Sequence, residues 1–153
     1  MKLTTKGRYA VTALVDLASR HQSEPISIAE VALRHRISVA YLERLAGVMR
    51  AKGLLKSVRG PKGGYVLAKP PAQITVADII QAVDEKIDTT RCHGKGNCHE
   101  GTMCITHHLW DRLNQEIFDF LKSITLSELI NEPHLLAQKN NTYPLQWLGA
   151  NHA

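Results

Sequence analysis

The sequence predicts a mainly α-helical chain that carries one short β-hairpin and a long helix in its second half. Two observations indicate this class. Apolar residues recur at helical spacing over most of the chain, and the pattern changes to two short strands around a glycine-rich turn after Gly53. The 153 residues are enough for one or two small domains with a buried core. We therefore expect a winged helix-turn-helix with a small β-hairpin wing, followed by a long C-terminal dimerisation helix.

Two helices are predicted at the start of the chain. The first spans Thr5 to about Arg20, where apolar residues form a helical stripe. Ser27 is typical of an N-cap, and Glu30 is expected to complete a capping box for a second helix that ends near His35. The side chains expected to face the core from this second helix are Ile28, Val31, Ala32 and Leu33.

A third helix and the hairpin complete the first domain, which we place at residues 1–71. Ser38 is expected to cap the helix and Gly53 to end it, which gives two helices joined by a tight turn. Strands are predicted over residues 54–59 and 65–67, and the loop between them carries two cations. A nucleotide-binding loop is excluded, because neither glycine motif of such loops is present. The core-facing residues of the third helix are expected to be Leu42, Leu45, Val48 and Met49.

Positive charge is concentrated in this first domain. Residues 1–71 hold thirteen Lys and Arg against four acids, a net charge of +9, whereas residues 72–153 carry a net charge of −4. A half of the chain that is so basic is typical of a protein that approaches a polyanion. The composition therefore favours double-stranded DNA as a partner.

The N-terminal turn of the third helix is expected to enter the major groove. Arg44 suits a phosphate or a guanine, whereas Glu43 repels phosphate but accepts a hydrogen bond from cytosine N4. We therefore expect Glu43 to discriminate between DNA sequences. Arg59, in the wing, is expected to enter a minor groove. The predicted DNA-contacting residues are Lys6, Arg8, Ser38, Val39, Ala40, Tyr41, Glu43, Arg44, Arg50, Arg59 and Lys62.

The second half of the chain is predicted to contain a connecting helix, a cluster-binding loop and a dimerisation helix. Residues 72–91 should form a connecting helix with Thr75 as its N-cap, and residues 92–107 a cluster-binding loop. Residues 105–137 should hold a long dimerisation helix and a short C-terminal helix, and residues 138–153 are expected to be a flexible tail.

The long helix is expected to have an apolar face that is wide for so small a chain. Burying this face against a second copy gives a symmetric homodimer, which matches palindromic DNA sites. The alternative is that the helix packs on the first domain of its own chain. The stripe consists of Ile105, Leu109, Leu113, Ile117, Phe120, Leu121 and Ile124.

Three cysteines and a histidine lie within sixteen residues: Cys92, Cys98, Cys104 and His107. Three soft thiolates and one imidazole are enough ligands for one metal centre. The odd number of cysteines disfavours a disulfide, and a zinc site usually pairs its cysteines at C-x2–4-C spacing, which is absent here. Wide gaps that contain glycine favour an iron–sulfur cluster. On spacing alone, a zinc site, a disulfide and the absence of any metal all stay open.

Four histidines crowd this region, and only one is needed as a ligand. His107 follows Cys104 by three residues, so on a helix that begins there both side chains would share a face. His108 would be turned away by about 100°. His93 and His99 each follow a cysteine directly and are expected to be exposed.

Other functional classes fit the sequence less well. An iron–sulfur electron-transfer protein or a thiol oxidoreductase needs neither a basic domain nor a wing, and no C-x-x-C is present. A zinc-stabilised DNA-binding protein stays open. No apolar run approaches the length of a membrane span, so we expect a cytoplasmic protein, and one that is not an enzyme.

The chain resembles the Rrf2 family of bacterial regulators. The resemblance depends on residues 3–10 (LTTKGRYA), on residues 57–65 (SVRGPKGGY) and on the cysteine loop, and it covers about residues 1–130. It implies a homodimeric winged-helix regulator that controls genes for iron–sulfur cluster assembly. It also implies a [2Fe-2S] cluster, with loaded and empty forms choosing different DNA sites. The implied cluster ligands are Cys92, Cys98, Cys104 and His107.

Three positions bear on DNA choice within this resemblance. Glu43 matches the position that governs the choice of site, and Arg59 matches the arginine of the wing. Ala40 departs from the small hydroxyl residue that the family pattern would place there. The alternative within the family is a repressor that senses nitric oxide or redox state with a different cluster, typically [4Fe-4S], and without a histidine ligand.

Overall fold

The computed structural model describes residues 3–20 and 24–131, and it confirms a mainly helical chain with a two-stranded hairpin. The predicted tail, residues 138–153, lies outside the described residues. Within the described part, no helix has both the length and the apolar composition that crossing a membrane requires. The elements are α1 (Thr5–Arg20), α2 (Ile28–His35), α3 (Val39–Ala51), β1 (Leu55–Val58), β2 (Gly64–Leu67), α4 (Val76–Ala82), α5 (His107–Ser123) and α6 (Leu126–Asn131).

The caps of α2 and α3 form the tight turn between these helices. The Ser27 hydroxyl accepts a hydrogen bond from the Ala29 N–H, and the Ser38 hydroxyl accepts one from the Tyr41 N–H. The predicted capping box with Glu30 is wrong, because the Ser27 hydroxyl is bonded to Ala29 instead. Arg36 ends α2 in the left-handed conformation, with φ of 54°, and its N–H bonds to carbonyl groups of the last helical turn. The chain therefore reverses within three residues.

The core of the first half is formed by one face of each helix. Leu42, Leu45 and Met49 are buried, as the sequence predicts. Two predicted core residues are not: Leu33 is 80% exposed and Val48 is 37% exposed. Each lies next in the chain to a fully buried residue, and one residue along a helix turns the side chain by about 100°. The apolar faces of α2 and α3 are thus narrower than the sequence suggests.

The wing is an antiparallel hairpin that is anchored on both sides of β2. Leu55 pairs with Leu67 and Val58 with Gly64. On its other edge, Tyr65 exchanges backbone hydrogen bonds of 2.8 and 3.0 Å with Ile26. A side chain at Gly64 would collide with the backbone of Ile26, so this close approach requires glycine. The hairpin is therefore attached to the segment that leads into α2.

The second half folds back onto the first. Ile74 and Leu126 are fully buried in the same core as α1, and the Leu126 N–H donates to the Ile74 carbonyl at 2.9 Å. Thr75 and Asp78 form the capping box of α4. Thr125 caps α6 with Glu128 in the same way. The limits of the predicted domains stay a prediction. One core contains buried residues from both sides of position 71.

Helix α5 packs on α4 and leaves much apolar surface exposed. It begins at His107, so the predicted start at Ile105 is wrong; Ile105 is fully exposed and precedes the N-cap, Thr106. Leu109 is 59% exposed and Phe120 is 45% exposed. His107 is the one buried residue of α5. Part of the apolar face expected for dimerisation is thus accessible in the single chain, whereas Leu113, Ile117 and Leu121 are half-buried and Ile124 is buried.

Two buried carboxylates hold the helices together, and no local pattern in the sequence predicts this role. Asp16 of α1 lies 2.5 Å from Nη2 of Arg34 and 2.7 Å from Nε2 of His35, both on α2. Burial acts to raise the pKa of Asp16, but these partners outweigh it and lower the pKa. Glu85, beyond α4, accepts hydrogen bonds from the first turn of α1. Each carboxylate joins α1 to an element distant in sequence.

Candidate metal centre and nucleic-acid interface

Three of the four predicted metal ligands converge in the loop before α5. Nδ1 of His107 lies 3.5 Å from Sγ of Cys92 and 3.6 Å from Sγ of Cys98. All three donor atoms lie within 4.8 Å of one another. Cys92 and His107 are each only 7% exposed, and Cys98 is half-buried. The donors are thus arranged around a common centre.

Cys104 lies at the rim of this group. Its N–H donates a 3.0 Å hydrogen bond to Sγ of Cys98, whereas its own sulfur lies 3.7 Å from Oγ1 of Thr106. It also lines the same cleft of about 230 Å³. The structure therefore brings together Cys92, Cys98 and His107, with Cys104 beside them. The cleft is lined by Thr90, Arg91, Cys92, Cys98, His99, Cys104, Thr106, His107 and Trp110.

The remaining histidines do not join the group of donors. His93 is exposed, and its Nδ1 lies 3.3 Å from Oδ2 of Asp88. His99 lines the cleft but is exposed, and His108 is exposed on α5. These positions agree with the expectation that His107 is the histidine facing the cysteines.

The three thiols differ in pKa. Burial acts to raise the pKa of Cys92, but the Gly96 N–H and the Cys98 thiol stabilise the thiolate and bring the pKa to about 7. The pKa of Cys98 is raised: the Cys104 N–H lowers it, but burial and the neighbouring thiols have the larger effect. The Cys98 thiol and Thr106 lower the pKa of Cys104. The lowered pKa of Cys92 favours the thiolate form, which is the form that binds metals.

The chemistry of these donors limits what the cleft accepts. Thiolate sulfur and imidazole nitrogen suit iron–sulfur clusters and zinc, whereas magnesium and calcium prefer oxygen. The donors therefore fit the kind of metal centre that the spacing predicts. A Cys/His group of this kind is consistent with either an iron–sulfur cluster or a single ion.

A polar network beside the donors is absent from the sequence-based predictions. Asp88, Thr90 and Asn114 are joined by hydrogen bonds of 2.6 to 3.1 Å between the start of the loop and α5. One signal in the sequence points to it: Asn114 follows His107 by seven residues, which places both on one face of a helix. An amide on the face of the expected histidine ligand offers both a donor and an acceptor to a neighbouring segment of the chain.

The predicted DNA-contacting residues of α3 lie at its N-terminal end. Val39, Ala40 and Glu43 are exposed, in agreement with the prediction that they face outward. Tyr41 is half-buried, and its ring packs edge-on against Tyr9 of α1 at 6.0 Å between centroids. The Arg44 guanidinium lies over the Tyr41 ring, 5.1 Å from its centroid. Tyr41 therefore supports Arg44 in addition to being partly accessible.

The predicted DNA-contacting cations outside α3 lie in the wing and at the start of α1. Arg59 and Lys62 are exposed in the wing. Arg50, near the end of α3, lies 3.5 Å from Oγ of Ser57 on β1, which brings α3 and the wing together. Lys6 and Arg8 lie on the first turns of α1, where Arg8 is exposed and Lys6 is half-buried. The Ser38 hydroxyl is engaged in capping α3.

A family comparison identifies this combination of wing, helix pair and cysteine loop. The model of the Rrf2 family, described as an iron-dependent transcriptional regulator, matches residues 3–132. The chain belongs to the Rrf2 family. This Rrf2 protein is 48% identical over 141 residues to a helix-turn-helix-type transcriptional regulator of Neisseria meningitidis serogroup A, covering 92% of the chain and 91% of the relative. It is 50% identical over 136 residues to the regulator IscR of Cronobacter sakazakii, covering 89% and 84%.

Solved structures show the same fold. CymR, the global cysteine regulator of B. subtilis, superposes with a TM-score of 0.73 at 35% identity, covering 85% of this chain and 96% of CymR. IscR of T. potens superposes with a TM-score of 0.71 at 36% identity, covering 89% and 90%. This Rrf2 protein is thus an IscR-like, DNA-binding transcriptional regulator with a winged-helix fold.

Proposed function

We propose that this protein senses iron–sulfur cluster status through a [2Fe-2S] cluster and controls genes for cluster assembly. The observation that carries the proposal is the convergence of Cys92, Cys98 and His107 within 4.8 Å. Cys104, at the rim of the same cleft, is the proposed fourth ligand. The named likeness to IscR supports the same assignment. A cluster held there supplies redox-sensitive iron, and the protein supplies three thiolates and one imidazole.

We propose that the protein acts as a homodimer on palindromic duplex sites. The exposed apolar side chains Leu109 and Phe120 on α5 support a second copy as the partner of this face. The exposed positions of Glu43, Arg44 and Arg59 support base and phosphate contacts by α3 and the wing. The protein is proposed to be cytoplasmic and to have no enzymatic activity, as its relatives are named as transcriptional regulators.

Anaerobic purification with iron and sulfide analysis tests the metal centre. A [2Fe-2S] protein should contain iron and acid-labile sulfide in equal amounts, about two of each per chain, and absorb visible light. Substitution of any ligand, for example Cys92→Ala or His107→Ala, should reduce the iron content. A colourless protein that contains zinc would indicate a structural site instead. An iron content near four atoms per chain would favour the nitric-oxide-sensing alternative. Either result would refute the proposed cofactor.

Titration with duplex DNA over a range of salt concentrations tests the partner. Phosphate contacts predict a linear fall of the logarithm of affinity with the logarithm of salt concentration. Coupling between cluster and DNA should be of the usual allosteric size, about 1–3 kcal/mol, which is roughly 5–150-fold in affinity. If Cys92→Ala leaves the affinity for every natural site unchanged, cluster sensing is wrong. DNA binding would then remain as a separate property.

A further inference from the structure

We propose that Asp88, Thr90 and Asn114 are positioning residues for the metal centre. They hold the segment that carries Cys92 against α5, so that Cys92 faces His107 before metal binds. This inference rests on the proposed function of the cysteine loop and deepens it, because it names residues outside the ligand set that determine how well the ligands bind. Asp88 does not belong to the group of donors formed by Cys92, Cys98 and His107. Thr90 and Asn114 carry neither a thiol, an imidazole nor a carboxylate.

Asn114 connects the helix to the beginning of the loop. It lies seven residues after His107, about two turns further along the same face of α5. Its side-chain oxygen accepts a 2.8 Å hydrogen bond from the Thr89 N–H, and its Nδ2 donates to Oδ1 of Asp88 at 3.1 Å. The Asn114 amide group thus fixes Asp88 and Thr89, which precede the cysteine loop, at a set distance from His107.

Asp88 and Thr90 connect Asn114 to the turn that holds Cys92. Oδ1 of Asp88 accepts hydrogen bonds from the Thr90 N–H at 2.8 Å and from its hydroxyl at 2.6 Å. The Thr90 hydroxyl in turn accepts the Gly94 N–H at 2.9 Å. Between them lies Cys92, whose carbonyl accepts the Lys95 N–H at 3.1 Å and closes the turn. Cys92 is therefore held in a hydrogen-bonded turn that is bound to α5 through a buried threonine.

The network joins the parts of the chain that supply the ligands. Cys92 comes from the loop and His107 from the first turn of α5, so their distance depends on how the loop is attached to the helix. Residues that orient ligands from outside the ligand set commonly change metal affinity by 10–100-fold when they are substituted. If the network served the fold alone, its removal would lower the stability of the protein but would not change how long the folded protein retains metal.

A matched pair of substitutions separates these two roles. Thr90→Val removes the hydroxyl at nearly constant size, whereas Thr90→Ser retains it. Asn114→Ala removes the amide, and Gln115→Ala serves as its neighbouring control, because Gln115 is exposed and bonds only locally to Asp119 at 2.8 Å. Each full-length variant is loaded anaerobically with iron and sulfide. The measured quantities are bound iron, bound sulfide and the rate at which visible absorption is lost to an iron chelator.

Thr90→Val and Asn114→Ala should lose iron at least about 10-fold faster than the parent protein does. Thr90→Ser and Gln115→Ala should lose iron at the rate of the parent. Far-ultraviolet circular dichroism and DNA affinity of the cluster-free forms should be equal for all variants. If Thr90→Val retains iron as long as Thr90→Ser does, the inference is wrong.

Two further outcomes keep the proposals distinct. If the parent protein takes up neither iron nor sulfide, the proposed function fails, and this inference fails with it. If Thr90→Val and Asn114→Ala do not fold, Asn114→Asp replaces them, since it retains the oxygen that accepts from Thr89 and removes the donor to Asp88. Parent-like iron retention in Asn114→Asp would then overturn the inference.

Discussion

Glu85 is predicted to be a main stabilising contact between the second half of the chain and α1. Its carboxylate accepts the Thr4 N–H at 2.6 Å, the Thr4 hydroxyl at 2.8 Å and the Gly7 N–H at 2.6 Å. Glu85→Ala leaves the buried Gly7 N–H without its acceptor, which costs about 1–3 kcal/mol. It also removes a negative charge from the N-terminus of α1, worth about 0.3–1 kcal/mol. We expect the free energy of unfolding to fall by about 1–4 kcal/mol in total.

Gly7 allows the reason for this loss to be tested. A Cβ at position 7 would lie 2.6 Å from Oε2 of Glu85 and 3.1 Å from the flexible end of Leu3. Gly7→Ala should therefore destabilise the parent protein by about 1–3 kcal/mol. In the Glu85→Ala background the close contact is gone, and alanine should be the better helix former by up to about 1 kcal/mol. The effect of one substitution is thus expected to change sign.

Urea unfolding of the parent, Glu85→Ala, Gly7→Ala and the double variant measures the coupling between positions 7 and 85. All four proteins are compared at one fixed protein concentration. Glu116→Ala is the control for loss of a glutamate, because this side chain is exposed and should change stability by less than about 0.5 kcal/mol. If Gly7→Ala destabilises both backgrounds equally, contact with Glu85 is not the reason that position 7 is glycine. The attachment of α1 would then depend on other contacts.

The same carboxylate predicts a pH dependence. Burial acts to raise the pKa of Glu85, but hydrogen bonds from Thr4 and Gly7 outweigh it, so the pKa in the folded protein is lowered. The stabilisation is present above the pKa of an unfolded glutamate, roughly 4.3, and is lost as the pH falls through the lowered pKa. The stability difference between the parent and Glu85→Gln should therefore shrink below about pH 4. A constant difference down to about pH 2 would contradict the assignment.

Three further predictions concern other parts of the chain. Asp16→Asn should destabilise the protein by about 1–3 kcal/mol in thermal unfolding, because Arg34 loses its buried charged partner; an unchanged melting temperature would contradict this. Thr75→Ala removes the α4 capping box with Asp78 and should cost about 1 kcal/mol, whereas Thr75→Ser should cost less. Arg59→Ala should weaken DNA binding and reduce the salt slope by about one, measured by fluorescence anisotropy; an unaltered slope would exclude a phosphate contact.

Local signals in the sequence predict most of the fold. The range of α1, the N-caps at Ser27, Ser38 and Thr75, and both strands are confirmed by the structure, because each depends on residues close together in the chain. Exposure at the edge of a helical stripe is harder to predict. Val48 follows the core pattern in sequence, but it lies at the edge of the buried face of α3 and is 37% exposed.

The candidate site is predictable only in part, for the same physical reason. Cysteine and histidine spacing is visible in the sequence and identifies the region of the donors. Their arrangement depends on contacts over longer separations, such as that between Asp88 and Asn114, which lie 26 residues apart. Glu85 and Thr4 are 81 residues apart, and no local pattern connects them. Long-range polar partners become visible only once the chain is folded.

The way in which the wing is anchored bears on how such regulators diversify. Strand β2 is bonded to β1 on one edge and to Ile26 on the other, whereas residues 59–62 lie beyond these bonds and are exposed. On the proposed mode of DNA binding, substitutions in this short exposed stretch change the charge presented to the DNA and leave the anchoring bonds intact. We therefore expect substitutions at residues 59–62 to change the choice of DNA site with little effect on the stability of the fold.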